Sequence, residues 1–275
     1  MHFLSADDFS KQQYEDVFGI ADTINSGRHL SLSRLSTLAI LFEGANLRER
    51  VSLENAMALA GAEKQFGAHA DVVAASIPQH ADLVGFADSS KVPVINVLTD
   101  LERPVQALND AYTIAGFKGG LGQLRIACIV NGAKNLVSSF TLAATRLGAD
   151  IAIVGPASAE PGRERVSAAG KYGLVHVFED MEEGLAGADV VYVAARGPGG
   201  ARPDGRSKEF SRYQLNSRTL RYANKDAIVL HPMPVFRGRE ITADVIDGKR
   251  SVVWKETKNK VQIEQALIKY VLDAE

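Results

Sequence analysis

The stretch Phe117-Lys-Gly-Gly-Leu-Gly122-Gln-Leu-Arg125-Ile-Ala-Cys-Ile-Val130 decides the fold. Three glycines in four positions break any helix that enters them and mark a domain boundary. The apolar run after Arg125 has no polar alternation, as in a strand covered on both faces of a parallel sheet. Leu136–Leu147 then reads as a helix and Asp150–Val154 as a second strand, completing a βαβ unit. Toward the C-terminus follow a short helix over Met181–Ala186, strands over Asp189–Ala194 and Asp226–Leu230, and a last helix over Val261–Leu272. Toward the N-terminus the same alternation runs backwards. There is a helix over Gln106–Ala115, a strand over Pro93–Asn96, a helix over Ala81–Asp88 and a strand over Asp71–Ala75. Before them come a helix over Arg50–Ala60 and a strand over Thr37–Phe42. Ser5 with Asp8 resembles a capping box ahead of the apolar face Tyr14, Val17, Phe18, Ile20 and Ala21. Gly197–Gly205 reads as a mobile loop.

This alternation predicts an α/β chain of two parallel-sheet lobes. Its 275 residues suffice for two modest domains. Ligands in such folds bind beyond the carboxyl ends of the strands. Attention therefore falls on the loops after residues 42, 75, 96, 130, 194 and 230. With Lys+Arg 31 and Asp+Glu 33 the net charge is −2, which argues against nucleic acid or a membrane surface as partner. The single Cys128 excludes a disulfide framework and a cysteine zinc site, and the polar start Met1–Phe9 does not read as a signal peptide. A cytoplasmic protein without metal or cofactor is the expectation.

Three blocks carry more. They are Phe42-Glu-Gly-Ala-Asn-Leu-Arg-Glu-Arg-Val-Ser-Leu-Glu54, Val92-Pro-Val-Ile-Asn-Val-Leu-Thr-Asp100 with Arg103-Pro-Val-Gln106, and His231-Pro-Met-Pro-Val-Phe-Arg-Gly-Arg-Glu-Ile-Thr242. In this order the sequence resembles the aspartate/ornithine carbamoyltransferase family, over essentially the whole chain. Arg237-Gly-Arg-Glu-Ile-Thr242 and Ser251-Val-Val-Trp254 are closer to the ornithine branch. The resemblance implies a carbamoyl-phosphate-type lobe over 1–116, an amino-acid-binding lobe over 117–255, and a final helix, 256–275, returning to the first lobe. It also implies a homotrimer and a cofactor-free transferase reaction. In that reaction an amine attacks the carbonyl carbon of carbamoyl phosphate and phosphate leaves, so catalysis is positioning and electrostatics.

The family's phosphate loop reads Ser-Thr-Arg-Thr-Arg at a helix start, where hydroxyls, backbone N–H groups and arginine meet an anion. Here the corresponding residues are Asn46-Leu47-Arg48-Glu49-Arg50. The hydroxyls are gone and Glu49 adds a negative charge. Two like charges at ~4 Å cost about 4 kcal/mol at an effective dielectric near 20, or roughly three decades of affinity. One reading makes Asn46 and Glu49 a helix cap. The other puts Glu49 in the anion site, paired with Arg48 or Arg103.

Further departures follow. Ser76 stands where the family has a carbamoyl-contacting arginine, and Arg103 replaces the histidine that polarises the carbonyl, while Gln106 is kept. Asn135 can hold a substrate α-carboxylate or amino group, or can cap the following helix. No carboxylate for a side-chain ammonium follows the strand ending at Ala194, and Arg196 there suits an acidic substrate. His231 and Arg237 are kept, and the resemblance suggests a cis Met233–Pro234 bond that presents backbone carbonyls to ligand. Ala62–His69 runs almost directly into the next strand, so one segment of the first lobe is missing, and Lys64 is too near the helix to replace the lysine of that loop.

The predicted catalytic residues are thus Arg103, Gln106 and His231. The predicted binding residues are Asn46, Arg48, Glu49, Ser76, Asn135, Arg196, Met233 and Arg237. The expected ligand is a small anion or amino acid. The sequence reads as a divergent family enzyme with altered or lost carbamoyl-phosphate use, or as a non-catalytic binding paralogue. A Rossmann oxidoreductase is disfavoured, because the loop after Val130 has only Gly132 where Gly-x-Gly-x-x-Gly is needed.

Overall fold

The computed structural model describes residues 1–28, 37–43, 47–59, 70–159, 162–195 and 210–274. The chain divides into two compact units, Met1–Tyr112 with Lys258–Glu275, and Thr113–Thr257. Both are α/β and both sheets are wholly parallel.

The first unit opens with helix α1, Lys11–Asn25. Its cap is Ser10 rather than the expected Ser5: Ser10 accepts from the Gln13 amide while the Gln13 side chain accepts from the Ser10 amide. Asp8 instead ties the Leu4 and Ser5 amides into a turn, and the Ser5 hydroxyl is taken by Glu102. A reciprocal box satisfies two orphan helix amides at once, which the Ser5–Asp8 spacing does not do. Tyr14, Val17 and Ala21 form the buried stripe of α1.

Strands β1 (Leu38–Phe42), β2 (Val72–Ser76) and β3 (Val94–Leu98) lie in the order β1-β2-β3. β2 is central and its five residues are all buried, which explains its unalternated sequence. Helix α2 (Leu47–Leu59) joins β1 to the segment before β2, and α3 (His80–Ser89) joins β2 to β3. After β3 comes α4, Pro104–Lys118, with proline at its first position, where a missing N–H costs nothing.

The second unit contains β4 (Arg125–Asn131), β5 (Asp150–Val154), β6 (Val175–Phe178), β7 (Val190–Ala195) and β8 (Ile228–Leu230), in the order β6-β5-β4-β7-β8. Ile126–Val130 of β4 are fully buried. The chain reverses direction across the sheet between β4 and β7, the point where such folds place ligands. Helices α5 (Lys134–Arg146), α6 (Arg163–Ala169), α7 (Met181–Leu185) and α8 (Ala243–Ile246) complete this unit. The last helix is α9, Val253–Asp273, which begins eight residues before the apolar pattern read from Val261 and three before the helix over 256–275 that the resemblance implies. The strand β6 and helix α6 were not anticipated. β6 is an edge strand with His176 and Val177 exposed, so it lacks the apolar run of its neighbours.

Candidate functional site

The first unit brings several charged side chains together at the start of α2, the helix that follows β1. Glu49 is the third residue of α2 and is buried. A carboxylate there suits the helix dipole, but its partners are side chains from elsewhere in the unit. Glu49 Oε1 accepts from Arg103 Nη2 at 3.0 Å and lies 3.6 Å from Lys260 Nζ. Arg103 directly precedes α4, and Lys260 projects from α9. Lys260 also lies 3.9 Å from Glu264, whose other oxygen accepts from the Ser52 hydroxyl. The side chains of Lys260 and Glu264 are almost fully buried, and those of Glu49 and Arg103 are largely so. Among the described residues, two carboxylates thus face two cations. Buried pairs of this kind hold their geometry because a lone buried charge is so costly.

Of the other residues expected in this unit, Gln106 is buried on α4 and its side-chain amide donates to Asp110 at 2.9 Å. Ser76 ends β2 and is buried, with its carbonyl accepting from the Glu43 amide. Arg48 belongs to the backbone of α2, and its side chain lies outside the described residues, as does Asn46. The shortened stretch Ala62–His69, with Lys64, also lies outside them.

The second unit places His231 and its loop directly after β8. His231 is fully buried. Its Nδ1 lies 2.6 Å from the Pro232 carbonyl, which can only accept, so Nδ1 carries a proton. Nε2 faces Glu240 Oε1 at 3.3 Å, inside ion-pair range but off the line of a hydrogen bond. The same Glu240 oxygen accepts from the Phe236 amide at 2.6 Å. Burial pushes the Glu240 carboxyl up, but His231 and the Phe236 amide together pull it below the usual carboxylate range. Met233–Pro234 is cis, as the family resemblance implied. Met233 and Val235 pack against the buried core of this unit.

Arg237 is directed to a partner of its own: its guanidinium grips Asp247 with Nε at 3.0 Å and Nη2 at 2.7 Å. The pair raises the Arg237 pKa and holds Asp247 below its ordinary value. Asn135 is not the cap of α5. That position is Ala133, and Asn135 lies one turn-step inside, its side-chain oxygen accepting from the Leu136 amide. The helix starts two residues earlier than expected because Gly132, at φ 90°, turns the chain directly out of β4. Arg196 and the loop Gly197–Gly205 lie outside the described residues.

Sequence reasoning missed Lys260, Glu264, Ser52 and Glu240. Lys260 and Glu264 stand inside the final helix that the resemblance implies over 256–275, but nothing in their local pattern assigned them to the site. Glu240 stood inside a quoted motif of which only Arg237 was singled out. Among the described residues no group of three His, Cys, Asp or Glu side chains could hold a metal ion, and no helix is long and apolar enough to cross a membrane.

Two parallel sheets in separate units, each followed by loops that bring polar side chains together, define a two-sheet α/β protein. Residues 122–271 match the family model for the Asp/Orn binding domain of aspartate/ornithine carbamoyltransferase. An ornithine carbamoyltransferase of Ignicoccus hospitalis is 34% identical over 88% of this chain and 84% of its own length. That of Methanococcus aeolicus is 30% identical over 98% of this chain and 99% of its own. The solved ornithine carbamoyltransferase of Pyrococcus furiosus superposes with a TM-score of 0.92 at 28% identity, covering 100% of this chain and 97% of that one. The chain belongs to the aspartate/ornithine carbamoyltransferase family. The alignment to the Methanococcus relative runs over 302 positions, more than the 275 residues here, so that relative carries residues this chain lacks.

Proposed function

We propose that this chain is a divergent carbamoyltransferase-family protein that no longer takes carbamoyl phosphate in the ordinary way and binds a small amino acid or anionic ligand instead. The observation that carries this reading is the Glu49 carboxylate held by Arg103 and Lys260. In the family resemblance the start of α2 is where the phosphate of carbamoyl phosphate is held. An internal carboxylate at that point already takes the positive charge that a phosphate needs. A dianion arriving there would meet the Glu49 carboxylate at close range and compete with it for Arg103 and Lys260. Loss of the loop hydroxyls, Ser76 in place of arginine and Arg103 in place of histidine all act in the same direction. An altered transferase and a non-catalytic binding paralogue both fit, and the closed Glu49–Arg103 pair favours the paralogue.

In this reading residues 1–116 form a carbamoyl-phosphate-type lobe that has lost its donor, and 117–255 keep an amino-acid lobe. Helix 256–275 contributes Lys260 and Glu264 to the first. Asn135, Arg196 and the Met233–Arg237 loop are the ligand-binding residues of the second, with His231 beside them. A homotrimer in the cytoplasm is the proposed form, and sedimentation equilibrium tests the assembly.

The second reading is ordinary ornithine carbamoyl transfer. It is favoured by relatives of that name at 30–34% identity along most of the chain. Incubation of purified protein with carbamoyl phosphate and either L-ornithine or L-aspartate separates the two. The proposal expects no carbamoylated amino acid above the protein-free control. Enzymatic turnover with ornithine establishes the second reading and ends the first.

A further inference from the structure

Within the second unit, one carboxylate ties together both ends of the loop after β8. Glu240 is buried, and its Oε1 takes the Phe236 amide in a 2.6 Å bond while facing the His231 ring at 3.3 Å. The ring's other nitrogen is committed to the Pro232 carbonyl. Both ends of the segment 231–236 therefore converge on a single oxygen. A second tier of bonds fixes Glu240 itself: its own carbonyl accepts from the Leu215 amide, and Leu215 in turn accepts from the Thr242 amide. The carboxylate is thus mounted beside a short parallel contact between Leu215 and Ile241, and Ile241 also bridges Arg237 just past the loop.

We propose that Glu240 is a positioning residue whose carboxylate fixes the Pro232–Val235 loop, with His231 as the loop's anchor and not a proton-transfer group. Two observations support the second clause. His231 has no exposed surface. Each of its ring nitrogens faces an acceptor inside the unit, a carbonyl on one side and a carboxylate on the other, so neither is turned toward a ligand. The inference deepens the functional reading and rests on it, since that reading makes this loop part of the ligand site. Fixing such a loop in advance matters because binding groups held by packed, hydrogen-bonded neighbours lose less freedom when ligand arrives.

The test uses the full chain and its Glu240→Gln and Glu240→Ala variants. In proton–nitrogen spectra of the unaltered protein, the Phe236 amide proton is expected well downfield of the ordinary amide range, as a short bond to a carboxylate requires. In Glu240→Gln that signal moves upfield and the His231 ring signals move with it, while those of the other five histidines stay in place. Calorimetric titration with L-ornithine and with L-aspartate gives the second readout. Binding weakens about tenfold in Glu240→Ala and less in Glu240→Gln, which keeps an acceptor for the amide. An ordinary Phe236 shift in the unaltered protein, independent movement of the two signals, or unchanged affinity in Glu240→Ala overturns the proposal. If the unaltered protein binds neither amino acid, the ligand reading fails, and the spectra alone still decide whether Glu240 fixes the loop.

Discussion

Replacing Glu49 by threonine should turn a closed charge cluster into an anion site. The substitution removes a carboxylate that lies 3.0 Å from Arg103 and 3.6 Å from Lys260. It also returns a hydroxyl of the kind found in the family's loop. A phosphate dianion placed ~4 Å from Glu49 meets about 8 kcal/mol of repulsion at an effective dielectric near 20. Even a quarter of that, about 2 kcal/mol, corresponds to roughly thirtyfold in affinity. Calorimetry with inorganic phosphate and carbamoyl phosphate should therefore show at least that gain in Glu49→Thr over the unaltered protein. The same change removes a buried carboxylate that pairs with both Arg103 and Lys260, which lowers the unfolding free energy by about 3–5 kcal/mol. Phosphate at a hundred times its Kd should restore ~2.7 kcal/mol of this, seen as a rise in Tm. A folded Glu49→Thr protein with unchanged phosphate affinity and no phosphate-dependent Tm refutes the reasoning.

Lys260→Met keeps most of the side-chain volume and removes the buried charge. It should cost about 3 kcal/mol in urea unfolding, and the double variant with Glu49→Gln should recover part of that, since the two residues share one network. Stability should also fall in acid through Glu240. Its carboxyl lies below the usual range when folded, so its contribution is complete above the ordinary glutamate pKa near ~4.3 and is lost as pH drops through the lower folded value. Glu240→Gln should flatten the rise of unfolding free energy with pH in that window, and an unchanged slope contradicts this. Gly184→Ala should destabilise by about 1–3 kcal/mol on thermal or urea unfolding, because the added methyl meets Val154 Cγ2 at 2.5 Å where α7 packs on β5.

Much of the architecture was legible because buried parallel strands write themselves as unbroken apolar runs. β2, β4, β5 and β7 were all visible this way, and the glycine-rich stretch before β4 marked the change of pattern. β6 was not, because an edge strand with exposed His176 and Val177 carries no such run. The first eight residues of α9 lie outside the apolar pattern that begins at Val261 because Lys255, Glu256, Lys258 and Lys260 look like a solvated segment. In the structure Glu256 and Lys260 are buried, the latter against carboxylates. The pairing of Glu49 with Arg103 was readable from an exchange of charges at two known positions. The contribution of Lys260 was not, since it arrives from over two hundred residues away and nothing local announces it. Likewise the ties of Arg237 to Asp247 and of Glu240 to His231 depend on how the chain folds back after β8, which no periodicity encodes.

The central claim is that Glu49 stands in for the phosphate of carbamoyl phosphate. Calorimetric titration of the unaltered protein with carbamoyl phosphate tests it most directly. The expected result is no saturable heat at millimolar concentration. Saturable binding in the micromolar range, with Glu49 still in place, contradicts it.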